Sequence, residues 1–414
     1  MEVISLLAPH FGGMWEFFNN LRCGLLRYGV RMRWLVVKYA EHGQLSGATS
    51  AEQCAGQIIV SPTNTAVDCA AAYLEHLTSH RPSLVIHHVL GSTIEINLAR
   101  YLPPEIRRIL VVHSITPATY RAARAVRDYV HATVGVSRRV REDLVRYYGF
   151  DPEWTVAIPN GVQLARFDNL PPAPVCPPVR LLFLGRIEDI SKGVLWLPNI
   201  LERVLAAGVD ASLTVAGDGP DLAPLRQRFG NRGLAARVRL TGPCKPEEAP
   251  NIMAQHHIFI FPSRFEGIGL ALIEALAAGC VPVASRIEGV TDTVVKPGRN
   301  GFLFPPGDIQ AAADCIVRLA RNAHLRSAFS DAARASAREH FGVERMASQY
   351  YELIRRVIQE PRPVFSPLPI EHWDIPKGLR PAWWHYLPQP VKNRFRTLRF
   401  RLPSAFTRVF ATFR

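Results

Sequence analysis

The chain has 414 residues, 48% of them hydrophobic and 20% charged, with a formal net charge of +14. That length favours two domains or more, and the balance of apolar and charged residues excludes a disordered or fibrous chain. No apolar run approaches the ~18 residues of a spanning helix. Seven cysteines at scattered spacings, without a Cys-x-x-Cys, suit a reducing compartment, so a cytoplasmic location is expected.

In chain order, residues 3–7 read as a first strand and not as a secretory leader, because no basic segment precedes them. Residues 14–28 place Phe17, Leu21 and Leu25 at helical spacing. Residues 33–37, 84–87, 109–112 and 132–136 are further strand-like runs. Residues 39–55 contain no usable motif. Strands alternating with helices predict a parallel, doubly wound sheet. NLPPAPVCPP, residues 169–178, then holds five prolines in ten positions and reads as a linker. The alternation restarts at 180–184, 213–216, 237–240, 258–261 and 281–284. The expected organisation is a first domain at 1–168, the linker, a second domain at 179–343, a terminal helix at 344–360 packing back on the first domain, and a tail at 361–414. Two such α/β units leave a ligand cleft between the carboxyl ends of their sheets.

The tail is unusual in charge. From residue 362 onward it has ten Lys or Arg against Glu371 and Asp374 alone. Trp383, Trp384, Tyr386 and five later phenylalanines are interleaved with Lys377, Arg380, Lys392 and six further arginines. Basic and aromatic residues together suit an anionic membrane surface. No nucleic-acid-binding signature accompanies the charge, so nucleic acid is not an expected partner. The competing arrangement wraps the tail on the first domain.

The stretch FPSRFEGIGLALIEALAAGCVPVAS, residues 261–285, is the most informative for chemistry. It reads as strand, turn and then a helix beginning near Gly269. Gly267 and Gly269 would let backbone approach a ligand, and the free amides of a helix start favour anionic oxygens. Glu266 lies before the helix and Glu274 on its second turn. A carboxylate repels phosphate but accepts hydrogen bonds from hydroxyls. Phosphates flanked by polyols satisfy all three features, which describes a nucleotide-sugar. The plain alternative is a turn with solvated glutamates. FLGRIEDISKG, residues 183–193, weighs against it, because Arg186 and Lys192 sit in a neighbouring loop at the same sheet edge and would neutralise a diphosphate. No Asp-x-Asp occurs, so no metal and no other cofactor is expected.

These segments resemble the E-x7-E signature of the family 4 retaining glycosyltransferases. Gly12-Gly13, AIPNGVQLARF at 157–167, AGDGP at 216–220 and GRNGFLFPPGD at 298–308 follow in the same order. The resemblance implies a GT-B fold: two Rossmann-like doubly wound domains facing a central cleft, here with a basic C-terminal extension. It implies transfer of a hexose from a nucleotide diphosphate-sugar to a hydroxyl of a glycan or lipid-linked acceptor, in surface polysaccharide or lipopolysaccharide synthesis. Glu274 would bind the nucleotide ribose. Arg186, Lys192 and the amides of Gly267, Ile268, Gly269 and Leu270 would hold the diphosphate, with Gly13 close to a donor phosphate. Glu266 and His113 would face the transferred sugar as catalytic residues, and residues 242–245 would lie near the base. His87 and His88, at a strand end, are candidates for the acceptor side. A nucleotide-sugar epimerase of similar architecture and a non-catalytic nucleotide-sugar-binding protein are the alternatives.

Overall fold

A computed structural model of the chain describes residues 1–9, 12–39, 55–89, 91–171, 173–174 and 177–380. The expected tail aromatics Trp383, Trp384 and Tyr386 and most of the motif-free loop at 39–55 lie outside the described residues. The first sheet contains β1 (Glu2–Leu6), β2 (Arg31–Tyr39), β3 (Gly56–Ser61), β4 (Leu84–His88), β5 (Arg107–Val112), β6 (Ala132–Gly135) and β7 (Thr155–Ala157), in the spatial order β3-β2-β1-β4-β5-β6-β7. The second contains β8 (Val179–Leu184), β9 (Ala211–Ala216), β10 (Val238–Gly242), β11 (Ile258–Phe261), β12 (Val281–Ser285) and β13 (Phe302–Phe304), in the order β10-β9-β8-β11-β12-β13.

Every strand pairing is parallel. Central strands such as β4, β6, β11 and β12 are buried along their whole length. Helices cover both faces of such a sheet, so its strands read as unbroken apolar runs and not as alternations. In each sheet the chain reverses direction beside its first strand, between β1 and β4 and between β8 and β11. A ligand crevice opens at the carboxyl ends of those strands. β3, β7 and β13, which the sequence reading passed over, are all edge strands.

The chain crosses between the sheets twice. The two crossings touch where the Val162 amide donates to Phe341 O at 2.8 Å and the Val343 amide donates to Val162 O at 3.0 Å. After the second crossing the Val343–Gln359 helix lies against the Gly13–Leu25 helix of the first domain. Gly24 permits this contact: a Cβ there would come within 2.6 Å of Ala347 Cβ and 3.1 Å of Val343 O. Tyr28 stacks on Tyr351 with ring centroids 4.4 Å apart.

Residues 362–379 then form a strap across the first domain. Arg362 lies 3.8 Å from Asp151, and the Phe365 and Leu368 amides donate to Asp128 O and Arg100 O, each at 2.9 Å. Trp373 packs on Tyr101 at 4.6 Å, and Asp374 pairs with Arg100 at 2.9 Å. The strap ends with Leu379, buried beside the Pro117–Val126 helix. Overpacking a tight helix contact destabilises by about 1–3 kcal/mol. Gly24→Val should therefore lower the melting temperature, and Ala347→Gly should recover part of the loss in the double variant. A Gly24→Val protein melting with the wild type would refute this helix docking.

Candidate active site

The loop after β8 carries the cations. Arg186 is 67% exposed, with Nε 3.5 Å from Glu188 Oε1. The chain then forms a single helical turn, Asp189–Lys192, stopped by Gly193 in a left-handed conformation (φ 62°) where a side chain would collide with Pro262 O. That stop aims Lys192 at the loop following β11. Its Nζ lies 2.5 Å from Glu266 Oε1, and Ser263 Oγ donates to the same oxygen at 2.7 Å. Glu266 is 9% exposed, and its Oε2 accepts no hydrogen bond among the described residues. Arg264 braces the two loops, pairing with Asp189 at 2.8 Å and stacking over Trp196 at 3.8 Å. Arg186 and Lys192 thus do different things: one is largely solvated, the other is held against a carboxylate.

Directly after Glu266, the chain enters the Leu270–Ala278 helix through Gly269 (φ 81°). The amides of Leu272 and Ile273 return to Gly269 O, and those ahead of them have no intrahelical acceptor. Ile268 is buried and Leu270 part-buried. Gly267 is a glycine for a reason other than ligand access. A Cβ there would overlap His113 O and stand 3.0 Å from Val136, so first-domain backbone fills that space. Gly13 differs, since a Cβ there meets nothing within 4 Å. It opens the Gly13–Leu25 helix, whose first intrahelical bonds run from Trp15 and Glu16 to Gly12 O.

His113 follows β5 and is part-buried; burial pushes its imidazole down to about 3. The acceptor-side expectation for His87 and His88 is overturned, because both are fully buried. Strands covered on both faces hide their polar residues as completely as their apolar ones. His87 Nδ1 bonds Glu95 O at 2.7 Å, and burial pushes its ring down to about 4. His88 instead stands behind His113, Nδ1 to Nε2 at 2.9 Å.

Glu274, part-buried in the second domain, lies in the field of Glu16 and Arg166. Burial first, and then the Glu16 carboxylate, raise its pKa to about 7, with Arg166 opposing. Arg166 lies 3.6 Å from Glu16 and also donates to Pro246 O, joining the first helix to the 242–246 loop. Sequence reasoning missed Glu16, Arg166 and Ser263. Ser263 had a signal, three residues before Glu266 in a tight turn; the others come from segments distant in the chain. Among the described residues, no three of His, Cys, Asp or Glu converge to hold a metal ion.

Two parallel Rossmann-like sheets with their carboxyl edges in one cleft define a GT-B protein, and solved structures agree. Sucrose-phosphate synthase from Thermosynechococcus elongatus superposes with a TM-score of 0.71 at 18% identity, over 86% of this chain and 99% of that one. The family model for glycosyltransferase family 4 matches residues 11–166, and that for glycosyl transferases group 1 matches 178–322. The chain belongs to the family 4 glycosyltransferases. It is 30% identical to N-acetyl-alpha-D-glucosaminyl L-malate synthase of Bacillus anthracis over 152 residues, 37% of this chain and 39% of that enzyme. It is also 30% identical to phosphatidyl-myo-inositol mannosyltransferase of Mycobacterium leprae over 248 residues, 59% of this chain and 64% of that one. The matched stretch therefore spans less than two thirds of either relative's length.

The raised pKa of Glu274 has a stability consequence. Between about 4.5 and 7 the folded state holds a proton that the unfolded state has lost, so stability falls as pH rises through that window. Glu274→Gln should melt above the wild type at pH 8, by an amount equivalent to at most ~3.4 kcal/mol. The difference should shrink toward pH 5. A pH-independent difference would contradict the assigned environment.

Proposed function

We propose that the chain is a retaining, metal-independent hexosyltransferase using a nucleotide diphosphate-sugar and a hydroxyl of a glycan or lipid-linked acceptor. The observation behind the reading is the Lys192–Glu266 pair, set where the Leu270–Ala278 helix begins and beside His113 of the other domain. The diphosphate lies against Arg186, Lys192 and the amides of the helix start, where charge building on the leaving group is stabilised. Glu274, ionised, accepts from the ribose hydroxyls. Glu266 and His113 address the hydroxyls of the transferred sugar.

The bond from the anomeric carbon to the phosphate oxygen breaks with its electron pair going to the phosphate. The acceptor oxygen attacks the same face and gives its proton to the departing phosphate oxygen. Front-face displacement retains the anomeric configuration without a protein nucleophile. The mannosyltransferase relative is named for phosphatidyl-myo-inositol, which supports a lipid-linked acceptor; the place of the reaction in surface polysaccharide or lipopolysaccharide synthesis is part of the same proposal.

The test is a screen of nucleotide-sugars for nucleotide diphosphate release in excess EDTA, followed by mass spectrometry of the acceptor. Loss of one such charge-stabilising donor costs about 10²–10³ in rate. Lys192→Ala and Arg186→Ala should each lower kcat by that order while remaining folded. Near-normal kcat in either variant would remove that residue from the mechanism, and activity restored only by Mg²⁺ or Mn²⁺ would end the metal-independent reading. Sugar inversion on the nucleotide without release would favour the epimerase, and binding without turnover the non-catalytic protein.

The proposal extends to an anionic membrane on the cytoplasmic side, through residues 381–414. They carry seven basic residues and no acid, each cation contributing about 1 kcal/mol near anionic lipid. Among the described residues no helix is long and apolar enough to cross a membrane. Since the strap to Arg380 packs on the first domain, the cut belongs after it. Deleting 381–414 should abolish salt-sensitive sedimentation with phosphatidylserine vesicles. Equal pelleting of both forms would exclude the tail as an anchor.

A further inference from the structure

β1, β4 and β5 are neighbours in the first sheet, and a buried polar chain crosses all three. Ser5 Oγ lies 2.8 Å from His88 Nε2, and His88 Nδ1 lies 2.9 Å from His113 Nε2. Ser5 and His88 have no exposed surface, whereas His113 is part-exposed. Phe17 stands edge-on to both rings, its centroid 5.8 Å from His88 and 5.2 Å from His113, which limits their rotation.

The two facing ring nitrogens share one proton, so the direction of the whole chain is decided at its buried end. Among the described residues the Ser5 hydroxyl has His88 as its side-chain partner. If Ser5 accepted from His88, its own hydrogen would be buried without an acceptor, at about 1–3 kcal/mol. If it donates, every buried proton in the chain has an acceptor, and the one proton left over falls on the part-exposed His113. Ser5 O–H then donates to His88 Nε2, and His88 Nδ1–H donates to His113 Nε2. His113 must carry its own proton on Nδ1, which bonds to nothing else among the described residues.

We infer that His88 is a positioning residue that locks His113 in its Nδ1–H form, making it a fixed neutral hydrogen-bond donor to the sugar being transferred. The sugar half of this statement rests on the proposed function; the proton half rests on the chain alone. An unconstrained imidazole favours the opposite, Nε2–H form. Without the chain, His113 would offer a bare Nδ1 and could only accept. Burial lowers the basicity of the ring, which favours its neutral form, so it donates without adding a cation to the site. Contact of its carbonyl with Gly267 fixes where that donor stands relative to Glu266.

The experiment is a long-range ¹⁵N–¹H correlation spectrum of the full chain labelled with ¹⁵N-histidine, which separates protonated from bare ring nitrogens. His113→Asn assigns the His113 signals by their loss. The wild type should show His113 protonated on Nδ1. Ser5→Ala and His88→Phe should each populate the Nε2–H form, while His88→Asn, whose amide can still donate toward His113, should hold the wild-type pattern. In turnover, His88→Phe should lower kcat by about 10- to 100-fold with the donor KM little changed, and His88→Asn should recover most of the loss. His113 found as Nε2–H in the wild type, or unmoved in both Ser5→Ala and His88→Phe, overturns the inference. The spectra need no sugar donor. A protein with the expected tautomer and no transferase activity therefore upholds the proton assignment and counts against the proposed function instead.

Discussion

A side chain absent at Gly267 is what allows the two halves of the molecule to meet. With no Cβ in the way, the start of the Leu270–Ala278 helix seats against the His113 carbonyl at the carboxyl end of β5. This contact sets the separation between the charged loops of the second domain and the histidines of the first. Other bridges follow from it: the Arg139 amide donates to Gly289 O at 3.1 Å, and Arg166 joins Glu16 to the 242–246 loop. Packed interiors tolerate little displacement, so a larger residue at 267 would move the whole arrangement apart.

Within that geometry the ionisable groups answer one another. Lys192 neutralises Glu266 at 2.5 Å, while Arg166 offsets only part of the negative charge that Glu16 and Glu274 place together. A diphosphate reaching Lys192 competes with Glu266 for the ammonium. A carboxylate relieved of its lysine is a stronger acceptor toward hydroxyls. In the proposed reaction, donor binding thus prepares Glu266 to receive the sugar. In the same proposed reaction Arg186, two-thirds exposed, would meet the phosphate without breaking a buried pair.

Most of this architecture was legible in the sequence because doubly wound sheets advertise themselves. Runs such as ILVV and FIF are continuous because both faces of their strands are covered. The strands that went unread were β3, β7 and β13, each paired along one side only; β7 and β13, at three residues, are too short to show any period. The Lys192–Glu266 meeting was foreshadowed by two loops at one sheet edge. The roles of His87 and His88 were not, because a strand-end histidine looks the same whether it faces solvent or a neighbouring strand. Glu16 and Arg166 were invisible for another reason: their significance depends on a carboxylate more than a hundred residues away.

The second crossing of the chain has a consequence for synthesis on the ribosome. The first sheet is complete by Ala157, but its Gly13–Leu25 helix is covered by a helix that begins only at Val343. At ~5–20 residues per second, the intervening stretch takes roughly 10–40 seconds to emerge. Through that interval the nascent first domain exposes the surface around Phe17 and Gly24 that Tyr350 and Ala347 later occupy. The two halves of this molecule are therefore unequal in time. The second can close on its own core as it leaves the tunnel, while the first stays unsealed until the last helix arrives.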